Sequence, residues 1–247
     1  MRVVLRWGLL LVVAAVALEL FFLLRIAAAA TVAPQSTTFQ RSEAWRLWNE
    51  KDRLRWSQEW VPYDRISDNL KRAVIASEDD EFVYHEGVDW EAIEKAWEKN
   101  AKAEETAARR AQARPNARAS NARAPKIIGG STITQQLAKN LLLSGERTMV
   151  RKGQEFVLAF MLEKMLSKER ILEAYLNSIE WGEGVFGAEA AAQRYWRKHA
   201  YQLTPYEAAR LAVMLPRPRY FEKVPNSGYL TNRAYTIVAR MRYAELP

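Results

Sequence analysis

The sequence predicts a mainly α-helical domain that follows one N-terminal transmembrane helix. Three observations predict it: a long apolar run near the N-terminus, apolar stripes at helical spacing from Ile66 onward, and the lack of any convincing run with period-two alternation. A chain of 247 residues has room for a short appendage and one domain of roughly 150 to 200 residues with its own core. We divide it into an anchor (1–30), a membrane-proximal linker (31–60) and a catalytic domain (61–247).

The amino-acid composition excludes several classes of protein and of metal site. Hydrophobic residues make up 49% of the chain and aromatic residues 11%, more than a disordered chain carries. Because there is no cysteine, disulfide frameworks and thiolate metal sites are excluded, and two histidines leave little room for a zinc site. The formal net charge of +8 suits nucleic acid, an anionic membrane surface or a phosphate-bearing substrate. Charge alone does not choose among these three.

The apolar run favours the membrane. It extends from Trp7 to Ile26, and its 20 residues rise about 30 Å as a helix, the thickness of a hydrocarbon core. Arg2 and Arg6 precede it, so the positive-inside rule keeps the N-terminus in the cytoplasm and sends the remainder across the membrane. A cleaved secretory signal is the alternative, because small residues follow at 27–33. The apolar core is longer than the usual ~7 to 15 residues of a signal, so we expect an uncleaved anchor.

Two segments outside the predicted core have unusual compositions. The linker carries four tryptophans, which suit a helix near lipid headgroups or packing on the domain: Trp45, Trp48, Trp56 and Trp60. The segment 101–124 is rich in alanine and arginine and has no aliphatic or aromatic side chain larger than alanine apart from one proline. Because it has nothing to bury, we expect a flexible, basic insertion there.

Helix signals cover most of the domain. An apolar stripe that starts at Ile66 predicts a helix that runs up to Glu78. The capping-box spacing of Thr132 and Gln135 predicts a helix start. The other signals, in chain order, are an N-cap at Asp89, helices over 150–166 and 168–176, and the Thr204-Pro205-Tyr206-Glu207 start of a helix that runs through Met214.

The first polar cluster is EDDEFVYHEGVD at 78–89. Four consecutive acids at a helix C-terminus face the negative end of the helix dipole, so they are locally unfavourable. From the residues alone, the cluster is a solvated acidic turn, a carboxylate catalyst or a metal site.

The second cluster is GGSTITQQLAKN at 129–140. Glycines that lead into a helix N-terminus present N–H groups and a partial positive charge, an arrangement that receives phosphate oxygens. The hydroxyls of Ser131 and Thr132 add donors, and Lys139 lies two turns on. The alternative is a capped helix with no ligand. The spacing excludes a Walker loop.

The third cluster contains Arg147, Arg151 and Glu155, which are spaced by four residues. If one helix covers them, they share a face and the acid lies beside two cations. A surface ladder of ion pairs is the alternative interpretation.

Taken together and in order, these motifs resemble a known family. The patterns EDxxFxxHxGxD, GGSTITQQLAKN, RKxxE and KxRILExYLN, followed by WGEGVFGAEAAAQRY at 181–195, resemble the peptidoglycan glycosyltransferases, family 51 of the glycosyltransferases. These occur as the N-terminal domain of class A penicillin-binding proteins and as stand-alone enzymes. The likeness covers Val61 to Pro218, and no penicillin-binding module follows, so we expect the monofunctional form. The resemblance implies a lysozyme-like, mainly α fold that polymerises lipid II into glycan strands and releases undecaprenyl diphosphate.

The resemblance also implies roles for individual residues. Glu78 matches the general base that removes the proton from the acceptor's 4-hydroxyl. Glu155 matches a second functional glutamate near the departing diphosphate, where a divalent cation, Mg or Mn, is an expected companion. Asp79, Phe82 and His85 match the remainder of the first motif, as cleft-shaping or contacting residues. Positions that match the donor's sugar and diphosphate contacts are Ser131, Thr132, Gln136, Lys139, Arg147 and Arg151.

The expected partners follow from this reaction. They are lipid II, the growing glycan strand and the inner membrane of a bacterium, with proteins of cell division or elongation as further candidates and no nucleic acid. The catalytic domain is then periplasmic. A hydrolase or lytic transglycosylase on a related fold is the enzymatic alternative, but cutting a glycan needs no cations for a diphosphate. An inactive scaffold is the non-enzymatic alternative, and the intact glutamates argue against it.

Overall fold

The computed structural model describes residues 2–51, 55–113, 130–143 and 148–247, with the side chains of residue 2 and of 110–113 left out. Within these ranges the fold is mainly helical, as predicted. The helices are α1 (Arg2–Thr31), α2 (Thr38–Lys51), α3 (Asp68–Glu78), α4 (Trp90–Ala113), α5 (Ile133–Leu142), α6 (Met149–Met165), α7 (Lys168–Ser178), α8 (Ala188–Trp196), α9 (Pro205–Met214), α10 (Pro218–Phe221) and α11 (Gly228–Met241).

A small sheet, which the sequence analysis did not predict, joins the linker to the domain. Its strands are β1 (Ser57–Gln58), β2 (Glu180–Gly182) and β3 (Val185–Phe186), in the order β1-β3-β2. Strand β1 pairs with β3 in parallel, and β2 pairs with β3 antiparallel across an irregular register. These strands are too short to show an alternating pattern, so the sequence carried no signal for them.

The hydrophobic core lies where α3, α9 and α11 pack together. Helix α9 is the central element, because Leu211 and its small neighbours Ala208, Ala209 and Ala212 are fully buried. The predicted start of α9 is confirmed: Thr204 accepts from the backbone N–H of Glu207, whose side chain accepts from the backbone N–H of Thr204. This core supports the C-terminal end of α3, where Glu78 lies.

Helix α1 is one continuous apolar helix, long enough to cross a membrane between Val3 and Thr31. Its last third packs on α6, where Phe22, Ile26 and Ala29 are buried. The guanidinium of Arg170 on α7 donates through Nε to the backbone oxygen of Ala29 at 2.8 Å. The structure thus contains one N-terminal helix suited to a single-pass anchor, and its end is held directly on the catalytic domain.

Two of the four linker tryptophans are exposed, as expected near lipid headgroups, and the other two pack on the domain. Trp45 and Trp48 on α2 are 69% and 62% exposed, as a residue at a membrane interface requires. Trp56 instead stacks on the ring of Phe186 with centroids 4.6 Å apart. Trp60 donates from its indole nitrogen to Glu173 at 3.0 Å. The second pair therefore packs on the domain.

Part of the expected flexible insertion is helical. The flexibility of the insertion stays a prediction, but residues 101–113 continue helix α4, which we did not predict. The physical reason is that alanine has the highest helix propensity, and acids lie four residues before bases on the exposed surface. Glu105 and Arg109 form one such ion pair at 2.6 Å. Residues 114–124 of the insertion lie outside the described part of the chain.

Candidate active site

Glu78 is the last residue of α3, and its carboxylate is held by neutral donors. Gln136 Nε2 donates to Glu78 Oε2 at 3.0 Å, and Ser77 Oγ lies 3.5 Å from the other carboxylate oxygen. Burial raises the pKa of Glu78, while the hydrogen bonds from Gln136 and Ser77 and the charge of Lys139 oppose the rise. A carboxylate with a raised pKa in a half-buried position is suited to accept a proton near neutral pH.

The amide of Gln136 is oriented by a buried tyrosine. Tyr175 on α7 donates its hydroxyl to Gln136 Oε1 at 3.0 Å, so the amide nitrogen faces Glu78. Tyr175 is almost completely buried. Gln136 therefore acts on Glu78 as a fixed donor. The sequence analysis singled out Gln136 but missed Tyr175, whose position in the YLN pattern was the available signal.

Asp79 points into the protein and joins the first two motifs. Its oxygens lie 2.9 and 3.1 Å from His85 Nε2, and Oδ2 also accepts from the backbone N–H of Ile133 at 2.9 Å. Because His85 Nδ1 accepts from the backbone N–H of Gly87, the ring proton sits on Nε2 and is donated to Asp79. Asp79 therefore caps α5 across the fold and fixes the loop after Glu78.

Three backbone N–H groups at the N-terminus of α5 have acceptors within the protein. The predicted capping box between Thr132 and Gln135 is present. The Thr132 hydroxyl also donates to the backbone oxygen of Gly87 at 2.6 Å, and the N–H of Ile133 donates to Asp79. From the residues alone, two possibilities were open here: N–H groups that receive phosphate oxygens, or a capped helix with no ligand. These particular donors have protein acceptors, because the folded chain brings Asp79 and Gly87 against the helix start.

The third cluster surrounds Glu155, a buried residue on α6. Arg151 Nη1 donates to Glu155 Oε2 at 3.1 Å, and Lys152 donates to Oε1. Lys152 also donates to Ser131 Oγ at 3.2 Å, so it links the third cluster to the second. The sequence analysis missed Lys152, although its spacing of three residues from Glu155 was a usable signal. Arg147 lies outside the described residues.

Phe82 is part of the support rather than of the cleft surface. Its ring is completely buried, with the ammonium of Lys168 4.6 Å from the ring centroid and the ring of His85 edge-on at 6.3 Å. The first motif thus contributes the half-buried carboxylate of Glu78, which lines a cavity, and buried residues that hold it in place.

Two cavities meet at the hydrogen-bonded pair of Glu78 and Gln136. The first, which we call the Lys139 cavity, has a volume of about 310 Å³ and is lined by Phe39, Gln136, Lys139, Asn140, Leu143, Arg151, Tyr175, Ile179, Glu180, Leu215 and Pro218. The second, the Glu78 cavity, has a volume of about 510 Å³, and its lining includes Glu78, Asp80, Lys95, Lys99, Ser131 and Arg240. Because Gln136 lines one cavity and Glu78 the other, the carboxylate lies where molecules bound on both sides would approach each other.

In the ranges that the structure describes, no group of three or more His, Cys, Asp or Glu side chains is placed to hold a metal ion. Both oxygens of Glu155 already accept from cations, Arg151 and Lys152. The Mg or Mn expected beside the diphosphate stays a prediction.

Comparison with known proteins gives a consistent result. The family model described as Transglycosylase matches residues 49–242. A biosynthetic peptidoglycan transglycosylase of Burkholderia thailandensis is 50% identical over 94% of this chain and 82% of its own length. A protein of the same description from Herminiimonas arsenicoxydans is 48% identical over 100% of this chain and 99% of its own, and one from Paraburkholderia xenovorans is 47% identical over 98% and 94%. The chain therefore belongs to the family of biosynthetic peptidoglycan transglycosylases.

Proposed function

We propose that this chain polymerises lipid II into linear glycan strands for cell wall synthesis, with Glu78 as the general base. Glu78 accepts the proton of the acceptor's 4-hydroxyl, the hydroxyl oxygen bonds to the donor's anomeric carbon, and the bond from that carbon to the lipid diphosphate breaks. The observation that carries this proposal is the position of Glu78: a carboxylate with a raised pKa between two cavities, one of them lined by Lys139 and Arg151.

The basic side chains stabilise the leaving group in this reaction. The leaving lipid diphosphate develops negative charge, and pre-placed cations lower the barrier by stabilising it. Arg151 and Lys139 line the same cavity, and Lys152 lies beside Arg151 through their shared partner Glu155. We assign Glu155 the role of orienting these two cations. Arg147, Ser131 and Thr132 remain candidate contacts to the donor, as the resemblance implies.

We also propose that the catalytic domain lies outside the cytoplasm, in the periplasm. Arg2 and Arg6 precede the apolar helix, which favours a cytoplasmic N-terminus. Because the chain has no cysteine, a single Tyr243→Cys variant provides a clean test at a 72% exposed position. A membrane-impermeant maleimide should label it in intact cells with a permeabilised outer membrane. Labelling only after the inner membrane is dissolved would reject the orientation.

The reaction itself is tested with purified full-length protein and labelled lipid II in detergent. Long glycan chains should appear, and they should disappear on treatment with a muramidase. If the protein instead shortens preformed strands, it is a glycan-cleaving enzyme. If neither reaction occurs with folded protein, the scaffold alternative is favoured.

A further inference from the structure

Most of helix α2 precedes the range that the family model matches, yet the helix forms part of the cleft. Phe39, in the first turn of α2, lines the Lys139 cavity together with Gln136 and Arg151. The matched range begins at residue 49, so Phe39 lies ten residues before it. One wall of the cavity is therefore supplied by the segment that connects the membrane anchor to the domain.

Several polar contacts fix α2 against the elements that form the cavity. Thr38 donates its hydroxyl to the backbone oxygen of Leu141 at the end of α5, at 3.1 Å. Gln40 is buried and donates to the backbone oxygen of Ser178 at the end of α7. Two turns further along α2, Leu47 is buried. Helix α2 thus bridges the C-terminal ends of two helices whose side chains line the cavity.

The ring of Phe39 is held in a defined orientation. The ring of Phe186 on β3 contacts it edge-on, with centroids 6.1 Å apart and an interplanar angle of 70°. Phe186 is itself completely buried and stacked on Trp56. Phe39 is half-buried, so part of its surface rests on the domain while another part faces the cavity.

An ion-pair cluster links α2 to a carboxylate in the same cavity. Arg219 donates to both oxygens of Glu180, at 2.8 and 3.0 Å. The same guanidinium also pairs with Glu43 on α2 at 2.5 Å. Burial raises the pKa of Glu180, and the hydrogen bonds and charge of Arg219 oppose the rise. Glu180 therefore presents an oriented acceptor in the cavity, and its position depends on α2 through Arg219.

From this arrangement we infer that Phe39 and Glu180 form a subsite for a sugar ring of the lipid-linked substrate. An aromatic face packs against the apolar C–H face of a sugar, and a carboxylate accepts hydrogen bonds from its hydroxyl groups. The volume of about 310 Å³ lies at the lower end of the roughly 300 to 1,000 Å³ of ligand sites, which suits a short stretch of substrate. A polyprenyl tail fits poorly, because Lys139, Arg151 and Glu180 would lose hydration without gaining partners.

This inference rests on the proposed function, so its test starts from a wild-type enzyme that makes polymer. Initial rates are measured against lipid II concentration for full-length Phe39→Ala and Glu180→Gln in detergent micelles. Trp45→Ala is the matched control, because Trp45 lies on the same helix and is 69% exposed. We expect the KM of Phe39→Ala to rise about tenfold, the size of a lost apolar contact, with a smaller change in kcat. Glu180→Gln should also raise KM, and Trp45→Ala should leave both constants unchanged.

A second measurement assigns the effect to the sugar. A soluble diphosphate-linked N-acetylmuramyl peptide and inorganic diphosphate are compared as inhibitors. Phe39→Ala should weaken inhibition by the sugar diphosphate and leave inhibition by inorganic diphosphate unchanged. Equal weakening of both, or of neither, would overturn the assignment.

Thermal unfolding shows whether Phe39→Ala disrupts the packing of α2, since disruption lowers the melting temperature. Phe39→Leu keeps apolar packing on Phe186 but lacks a flat ring, so it tests the sugar contact without a large cavity. If Phe39→Leu keeps the wild-type KM while Phe39→Ala lowers only the melting temperature, Phe39 is a packing residue and the inference fails. If the wild type makes no polymer at all, the proposed function fails instead.

Discussion

The sharpest prediction concerns Glu78→Gln, which removes a proton acceptor and keeps the shape of the side chain. The amide oxygen of the new side chain can still accept from Gln136 Nε2, which lies 3.0 Å from the carboxylate and is fixed by Tyr175. Packing therefore changes little. The loss of general-base catalysis should lower the polymerisation rate by about 10² to 10⁴-fold. At about 1.4 kcal/mol for each factor of ten, this corresponds to about 3 to 6 kcal/mol of transition-state stabilisation.

Although Glu78→Gln should lose activity, its stability should not fall. Because burial raises the pKa of Glu78, the folded protein holds this proton more tightly than the unfolded chain does. The contribution of Glu78 to the free energy of unfolding is then most favourable below its unfolded pKa and is lost as the pH rises through the folded value. Glutamine carries no charge to desolvate. At neutral pH, Glu78→Gln should therefore be at least as stable as the wild type.

Two measurements check this prediction. Polymer formation from labelled lipid II gives the rate, and thermal unfolding followed by circular dichroism gives the stability. In the wild type the rate should rise with pH along a limb that reports the raised pKa of Glu78. Glu86→Gln is the control, since its side chain lies in the same motif and is 70% exposed. Polymer at the wild-type rate from Glu78→Gln would refute the base assignment, and an acid limb at the pH of an ordinary glutamate would refute the raised pKa.

Two further variants test the residues that position Glu78. Asp79→Ala leaves two buried donors without an acceptor, the ring N–H of His85 and the first N–H of helix α5. At about 1 to 3 kcal/mol for each orphaned donor, the loss of stability should be about 2 to 6 kcal/mol, measured by urea unfolding, and a loss below about 1 kcal/mol would contradict the capping role. Tyr175→Phe frees the amide of Gln136 to rotate, which weakens a hydrogen bond that lowers the pKa of Glu78. The acid limb of the rate profile should move to higher pH, and an unshifted limb would contradict this relay.

Local signals in the sequence were sufficient for most of the helices. The capping boxes at Thr132 and Thr204 involve residues three positions apart, so the sequence pattern and the observed hydrogen bonds are nearly the same information. The stripe that starts at Ile66 likewise predicted a helix that runs to Glu78, and α3 ends there. The ordered motifs, rather than composition or charge, identified the family.

Contacts between distant parts of the chain could not be predicted from local sequence patterns. The hydrogen bond from the backbone N–H of Ile133 to Asp79 joins residues 54 positions apart, and it changes how both motifs are interpreted. In the sequence, the glycines before α5 suggested backbone N–H groups that could donate to phosphate. In the fold, one of those groups, the N–H of Ile133, donates to Asp79. The contribution of Phe39 to the cavity also depends on how α2 docks, which no local pattern encodes.

The run of four acids at the end of α3 is unfavourable in isolation, and the partners of the first three explain how the fold accommodates them. Asp79 is compensated by two N–H donors in the interior, and Asp80 pairs with Arg240 at 2.8 Å near the surface. Among the described residues, hydrogen bonds to Glu78 come from the neutral groups of Gln136 and Ser77, and the charge of Lys139 adds a smaller opposing effect on its pKa. A direct cation would hold the carboxylate ionised and make it a weak base. The distribution of partners along this turn therefore keeps Glu78, and not its neighbours, ready to accept a proton.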